Sequence, residues 1–255
     1  MQAASDTILW VSIILPVVLL AKMYREKLIV RYRWFSLMLM VGVARDVSLA
    51  ALTPDSPMYE QVWVLTMIPF LLAQIVAAIA AYVSLAKFYT GIGSFAGWLY
   101  GSGTVAGLVI CFAINEQAYD GTFYSQWVGF AAIAERSVAT VLTCATIVTC
   151  AFLSLFPSPL RRMPANLIAH LALLTLFFAL TSLFQFAIGN ILDQPFERTV
   201  ETAFLFLTCV CYVLWTVGFC KEGEHVLYWP DIDPAVRRQV HDLNLQMMSL
   251  MREIY

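Results

Sequence analysis

Seven long runs of apolar residues, separated by short polar segments, make up most of the 255-residue chain. A helix rises about 1.5 Å per residue and the hydrocarbon core of a bilayer is about 30 Å thick, so roughly 17 to 25 mainly apolar residues cross it. The pattern therefore predicts an all-α polytopic membrane protein with seven transmembrane helices. We place these helices at residues 7–22, 34–52, 61–86, 94–114, 127–155, 166–191 and 200–220.

The basic residues between these runs predict the orientation, because Lys and Arg concentrate in the short cytoplasmic loops of membrane proteins. The segments on one side of the predicted bundle are basic, whereas those on the other side contain only Arg198. We therefore expect the N-terminus outside and the C-terminus in the cytoplasm, with a transmembrane domain at 1–221 and a cytoplasmic tail at 222–255. The basic residues on the cytoplasmic side are Lys22, Arg25, Lys27, Arg31, Arg33, Lys87, Arg161, Arg162 and Lys221.

Composition excludes an ordinary water-soluble domain. Hydrophobic residues account for 61% of the chain and charged residues for 13%, compared with about 25% charged residues in a typical soluble domain. The compact loops and the absence of an Asn-x-Ser/Thr sequon fit a bacterial inner membrane protein. We expect membrane lipids around it and no nucleic acid as a partner.

Glycines recur at four-residue intervals in the fourth run, at Gly93, Gly97 and Gly101 and again at Gly103 and Gly107. Such spacing allows a second helix to approach the backbone closely, which favours helix association in a bilayer. The partner is either another helix of the same chain or a second copy of the protein.

Four charged residues lie inside two of the apolar runs: Arg45 and Asp46 in the second, Glu135 and Arg136 in the fifth. Counted from the ends of their runs, both pairs reach a similar depth in the outer half of the membrane. Charge in the hydrocarbon region is costly, so these side chains should face the bundle interior. There Arg45 would pair with Glu135, and Asp46 with Arg136.

Three interpretations of these charges stay open. They form an ion-pair network that locks the helices, line a cavity for a charged or zwitterionic ligand, or belong to a proton or ion pathway. Thr140 and Thr143 below Arg136, with Asn190 and Glu201 at the outer ends of the last two runs, would extend such a cavity. Threonines within a membrane helix more often serve packing or bond their own backbone.

The tail has the pattern of an assembly helix. Asp233 followed by Pro234 is typical of a helix start, and apolar residues then alternate spacings of four and three over almost three heptads, as in a coiled coil. We predict a helix at 234–254 that associates with a copy of itself, docks on a partner helix or packs on its own bundle. Its apolar seam consists of Val236, Val240, Leu243, Met247, Leu250 and Ile254.

Motifs of catalysis and cofactor binding do not occur in the sequence. It has no G-x-S-x-G, no H-E-x-x-H and no phosphate-binding glycine loop followed by Lys and Ser/Thr. His170 is the one histidine inside an apolar run, so a haem held by two histidines of this chain has no second ligand. We therefore expect no enzymatic activity, no cofactor and no metal site.

Leu9-Trp10 lies in the first apolar run, and the basic first loop leads into Arg33-Trp34-Phe35. The tail contains Leu243-Asn244 followed by Met247-Met248-Ser249-Leu250. With these features the chain resembles, over its whole length, a group of uncharacterised bacterial seven-helix membrane proteins. The resemblance implies the architecture alone, because no activity or functional residue is associated with that group.

These features lead to a functional hypothesis. We expect a receptor-like or accessory subunit of a membrane complex, with a polar site in the outer half of the membrane and a cytoplasmic assembly helix. The alternative is a small transporter or ion channel that uses the intramembrane charges. Many secondary transporters show inverted repeats and paired broken helices, and the sequence displays neither.

Overall fold

The computed structural model describes residues 2–53, 56–88, 98, 101–107, 123–155, 163–190, 194–224 and 242. The described residues are helical apart from short connections, and no strand occurs among them, which confirms the all-α prediction for this part of the chain. The helices are α1 (Gln2–Arg25), α2 (Arg33–Ala50), α3 (Pro57–Ala86), α4 (described at 101–107), α5 (Phe123–Leu155), α6 (Ala165–Asn190) and α7 (Gln194–Gly218), followed by a short 3-10 helix (Glu222–Glu224).

Among the described residues, three apolar segments are long enough to cross a membrane: Met58–Ala86 in α3, Ala131–Ala151 in α5 and Ala165–Gln185 in α6. Their outward surface is apolar as well, since Leu65 and Ile68 of α3 are 70% and 61% exposed. An apolar surface of this kind is stable in hydrocarbon and unstable in water. The protein is therefore membrane-embedded.

Two other helices, α2 and α7, differ from these three. α2 has 18 residues and carries three charges, at Arg33, Arg45 and Asp46, and the apolar part of α7 is the shorter segment Thr202–Gly218. The count of seven spans, the N-out orientation and the cytoplasmic location of the tail stay predictions.

The tail seam lies outside the described residues, so the predicted assembly helix is not tested. Asp242 is described within that segment, and it is helical and exposed. The seam residues to which this applies are Val236, Val240, Leu243, Met247, Leu250 and Ile254.

The helices pack in a ring. α1 packs against α2, α2 against α3, α3 against α5, α5 against α6, α6 against α7, and α7 closes the ring on α1. α3 also contacts α6 across the interior. The Lys22 Nζ atom at the end of α1 donates a hydrogen bond to the Thr216 carbonyl near the end of α7, which fixes the closure at that end of the bundle.

The start of α3 follows from local sequence. Ser56 precedes the helix, and its hydroxyl oxygen accepts a hydrogen bond from the Tyr59 backbone N–H at 3.2 Å. Pro57 occupies the first helical position, where its missing N–H leaves no hydrogen bond unmade. A side-chain cap and an N-terminal proline together define a helix start.

The glycines of α4 pack against α5 of the same chain. A Cβ atom at Gly103 would lie 2.7 Å from the Ala145 Cα atom, and one at Gly107 would lie 2.6 Å from the Val141 Cα atom. Real Cβ atoms do not approach a backbone so closely, so the contact requires glycine. The sequence left open whether these glycines pack against a helix of the same chain or of a second copy. At Gly103 and Gly107 the partner is a helix of the same chain, α5.

The best-packed part of the core lies near the basic first loop. Met23, Phe35, Leu85, Trp215 and Phe219, from α1, α2, α3 and the end of α7, are each at most 2% exposed. The Phe35 and Trp215 rings lie 4.9 Å apart between centroids, a separation at which aromatic pairs attract beyond their burial. This end of the bundle is thus held by apolar and aromatic packing.

Candidate functional site

The bundle interior contains a charge cluster formed by Arg45 and Asp46 of α2, Glu135 of α5 and Gln185 of α6. Glu135 is 9% exposed, and its carboxylate accepts a hydrogen bond from the Gln185 amide. Arg45 and Asp46 lie within electrostatic range of Glu135. Because α3 separates α2 from α5 in the ring, these interactions cross the interior. The sequence predicted the three charged members and left Gln185 unassigned.

Arg45 is positioned by an aromatic ring of the neighbouring helix. Its Cζ atom lies 4.9 Å from the centroid of the Phe70 ring of α3, a cation–π contact. Its Nε atom is buried and has no hydrogen-bond partner among the described residues. Buried donors are almost always satisfied in native proteins, so this nitrogen is an exception that needs an explanation.

Arg136 follows Glu135 on α5 and has the same exceptional feature. Its Nε atom is buried without a hydrogen-bond partner in the described part of the chain. Among the four predicted charged side chains, no arginine nitrogen lies within 4 Å of a carboxylate oxygen. Arg45 and Glu135 thus interact electrostatically without a close ion pair, and Asp46 and Arg136 do not form the close ion pair that the sequence predicted.

Asp46 also faces the last helix of the ring. It lies within electrostatic range of Tyr212 of α7 as well as of Arg45. Together with Phe70, these residues show that five helices, α2, α3, α5, α6 and α7, contribute side chains around the cluster. A site assembled from five helices responds to any shift of one of them.

The residues that were predicted to extend a cavity take different positions. The Thr140 hydroxyl lies 3.0 Å from the Ser182 hydroxyl of α6, and the Thr143 hydroxyl donates a hydrogen bond to the Ala139 carbonyl one turn earlier at 2.7 Å. Thr140 therefore links two helices and Thr143 bonds its own backbone, in line with the packing interpretation. Asn190 and Glu201 belong to α6 and α7, and their side chains lie outside the described part of the structure.

A second polar cluster, which the sequence did not reveal, lies at the end of the bundle near the first loop. We call it the Glu224 junction: Glu224, Arg31, Tyr32 and Asn166. The Tyr32 hydroxyl and the Asn166 amide each donate to Glu224 Oε1 at 2.8 Å, and Arg31 Nε lies 2.5 Å from Glu224 Oε2. Burial and the hydrogen bond to Glu224 raise the pKa of Tyr32, which keeps its hydroxyl protonated and donating.

Asn166 connects this junction to the end of α7. Its amide donates to the Cys220 carbonyl at 2.7 Å, and its Oδ1 atom accepts from the Cys220 N–H at 3.4 Å. A Cβ atom at Gly223 would collide with Asn166 Oδ1. The chain leaving α7 is therefore held against the start of α6, and a larger residue at position 223 would displace the Asn166 side chain from its hydrogen bonds.

His170 lies beside the junction among aromatic rings. It is 2% exposed, with ring centroids of Phe35 and Tyr32 at 4.6 Å and 5.3 Å. Its Nδ1 atom is buried and has no hydrogen-bond partner among the described residues. In the same residues no group of three His, Cys, Asp or Glu side chains could hold a metal ion, so nothing there marks His170 as a metal ligand.

The charge cluster and the Glu224 junction lie at different heights in the bundle. Tyr32 and Arg45 are 13 residues apart along the chain at α2, which corresponds to about 20 Å. No family model, curated protein or solved structure matches this chain. The function is therefore inferred from the residues and contacts of the bundle interior.

Proposed function

We propose that the chain is a receptor-like or accessory subunit of a membrane complex, without enzymatic activity, whose charge cluster binds a small charged or zwitterionic ligand. The observation that supports this proposal is the buried Nε atom of Arg45 in the cluster, which has no hydrogen-bond partner among the described residues. Arg136, next to Glu135 on α5, carries a second such atom. A purely structural ion-pair network would satisfy its own arginines, whereas a binding site keeps donors available for the ligand.

The composition of the cluster favours a zwitterion. Arginine donors recognise a carboxylate with charge-assisted hydrogen bonds, and the Asp46 carboxylate supplies the opposite charge for an ammonium group. Glu135 is already engaged by Gln185 and interacts electrostatically with Arg45, so we assign it to positioning Arg45. Net charge inside the membrane is unfavourable. A zwitterionic ligand carries both charges and therefore adds no net charge to the site.

Thermal unfolding of the full chain in nanodiscs tests this proposal, with glycine, glycine betaine and acetate as probes. A ligand raises stability by about 2.7 kcal/mol at one hundred times its dissociation constant, so a zwitterionic probe should raise the Tm of the wild type. Arg45→Gln should abolish the shift, and Arg25→Gln, at an exposed arginine of α1, should leave it intact. If none of the probes changes Tm, the cluster is a structural network and the proposal fails.

The alternative of a small transporter or ion channel has a separate test. A permeation path needs polar groups that are available to the solute, but the hydroxyls of Thr143, Thr146 and Thr149 donate to backbone carbonyls of their own helix. Liposome flux of the same three probes and of protons distinguishes the two functions. Flux that Glu135→Gln abolishes would replace the receptor proposal with transport.

The proposal includes a bacterial inner membrane location, an N-out orientation and a cytoplasmic tail that assembles with a copy of itself or with a partner helix. Its support is the a/d spacing of the tail seam. Replacing Leu243 and Leu250 by Asp should shift the detergent-solubilised particle to a smaller assembly and leave thermal unfolding of the bundle unchanged. An unchanged particle size would argue against self-association.

A further inference from the structure

A cleft opens at the end of the bundle between the start of α2, the end of α3 and the start of α6. Six of its lining residues are Arg31, Trp34, Phe35, Ala80, Ser84 and His170. We propose that this cleft binds the phosphodiester headgroup of an anionic phospholipid. The site is separate from the charge cluster and does not depend on the function of that cluster.

The order of polarity along the cleft matches that of a phospholipid. Arg31 and Ser84 bring polar groups to the cleft, whereas Phe35, Ala80 and Ala81 give it an apolar wall. A phospholipid presents a charged headgroup followed by apolar acyl chains. When the headgroup lies at Arg31, the polar part of the lipid contacts polar residues of the cleft, and its acyl chains contact the apolar wall.

One basic residue, Arg31, lines the cleft, and two more lie close in sequence to its lining residues. The Arg31 side chain is 53% exposed, and a guanidinium carries five donors, more than its contacts with Glu224 and Tyr32 require. The Arg33 guanidinium lies 5.1 Å from the Trp34 ring centroid, and the exposed Lys87 follows Ser84 at the end of α3. Basic residues at the membrane boundary attract anionic lipids, and Trp is typical of the headgroup level.

His170 adds an observation that is independent of charge. It lines the cleft, is 2% exposed, and its Nδ1 atom has no partner among the described residues. A buried polar atom without a partner is unfavourable unless another molecule supplies one. A headgroup hydroxyl that enters the cleft would donate to this nitrogen, so phosphatidylglycerol, which carries a charged phosphodiester and hydroxyls, is the probe of choice.

Native mass spectrometry of the full chain, solubilised in detergent with equal amounts of phosphatidylglycerol and phosphatidylcholine, tests the site. The wild type should retain one phosphatidylglycerol in preference to phosphatidylcholine. Arg31→Gln should weaken this retention about tenfold, the effect of losing one hydrogen bond to a charged group. Arg25→Gln removes the same charge from an exposed position at the end of α1 and should leave retention unchanged.

A second variant separates the cleft from general surface charge. Ala80→Leu fills the apolar wall without changing any charge and should displace the lipid as well, and Ser84→Leu serves the same purpose if the first variant does not fold. Equal retention of the two lipids by the wild type, or full retention by the filled cleft, would overturn the proposal. Competition by inorganic phosphate at millimolar concentration would show that the site binds a free anion instead of a lipid.

Discussion

Replacing Glu135 by methionine should destabilise the bundle more than replacing Glu135 and Arg45 together. In the wild type the two arginines of the predicted site are balanced by Asp46 and Glu135. Glu135→Met leaves one positive charge in excess inside the bundle, whereas Arg45→Met/Glu135→Met leaves Arg136 and Asp46, which carry no net charge. Methionine keeps a similar side-chain volume, so charge is the main difference.

The magnitude follows from the contacts of Glu135. The hydrogen bond from Gln185 contributes about 0.6 kcal/mol, the average found for hydrogen bonds between membrane helices. An uncompensated buried charge costs more, about 3 kcal/mol, and Arg45 is the cation within electrostatic range of Glu135. We therefore expect about 3 kcal/mol for Glu135→Met, roughly 1 kcal/mol for the double variant, and less than about 1 kcal/mol for the control Gln185→Leu.

Equilibrium unfolding in mixed micelles, with increasing SDS, measures the free energy of unfolding of the wild type, the two single variants and the double variant. The coupling free energy between Glu135 and Arg45 is the difference between the double variant and the sum of the single ones. Arg45→Met leaves one negative charge in excess and should also cost about 3 kcal/mol, so a coupling free energy of about 5 kcal/mol in magnitude is expected. If the effects add to within about 0.5 kcal/mol, the two residues do not interact across the bundle and the description of the charge cluster is wrong.

Three further predictions concern other parts of the molecule. Gly103→Val should destabilise the bundle by about 2 kcal/mol, measured by the same unfolding assay, whereas Gly101→Ala, with no atom within 4 Å of the added Cβ, should not. Tyr32→Phe should cost about 1.5 kcal/mol through the lost hydrogen bond to a carboxylate; an unchanged free energy of unfolding would argue against the junction. Cysteine-accessibility labelling should place residues 23–32 in the cytoplasm and 115–126 outside, and the reverse labelling would overturn the orientation.

The helices were largely predictable, and their ends were not. Apolar runs locate the part of a helix that lies in hydrocarbon, but hydrogen bonding continues the helix into polar residues beyond it. α5 accordingly begins at Phe123 and not at 127, and α7 begins at Gln194 and not at 200. The spacing of apolar residues contains no information on these polar turns. A capping sequence such as Ser56-Pro57 does indicate a helix start, as it does for α3.

The two clusters differ in how far the sequence could reveal them. Charges inside an apolar run must find partners, so the proximity of Arg45 and Glu135 follows from their cost in hydrocarbon. Glu224 and Tyr32 both lie in polar segments, 192 residues apart, where charged and polar residues are ordinary. No spacing rule connects such positions, so only the three-dimensional packing of α6 and the end of α7 brings the junction together.

The closure of the ring between α1 and α7 has a consequence for biosynthesis. The hydrogen bond from Lys22 to the Thr216 carbonyl joins residues 194 positions apart, and a ribosome adds about 5 to 20 residues per second. During the resulting delay of about 10 to 40 s, the side of α1 that contacts α7 in the finished bundle lacks this partner. A nascent chain that stops before α7 therefore leaves the α7-contacting sides of α1 and α6 uncovered by protein.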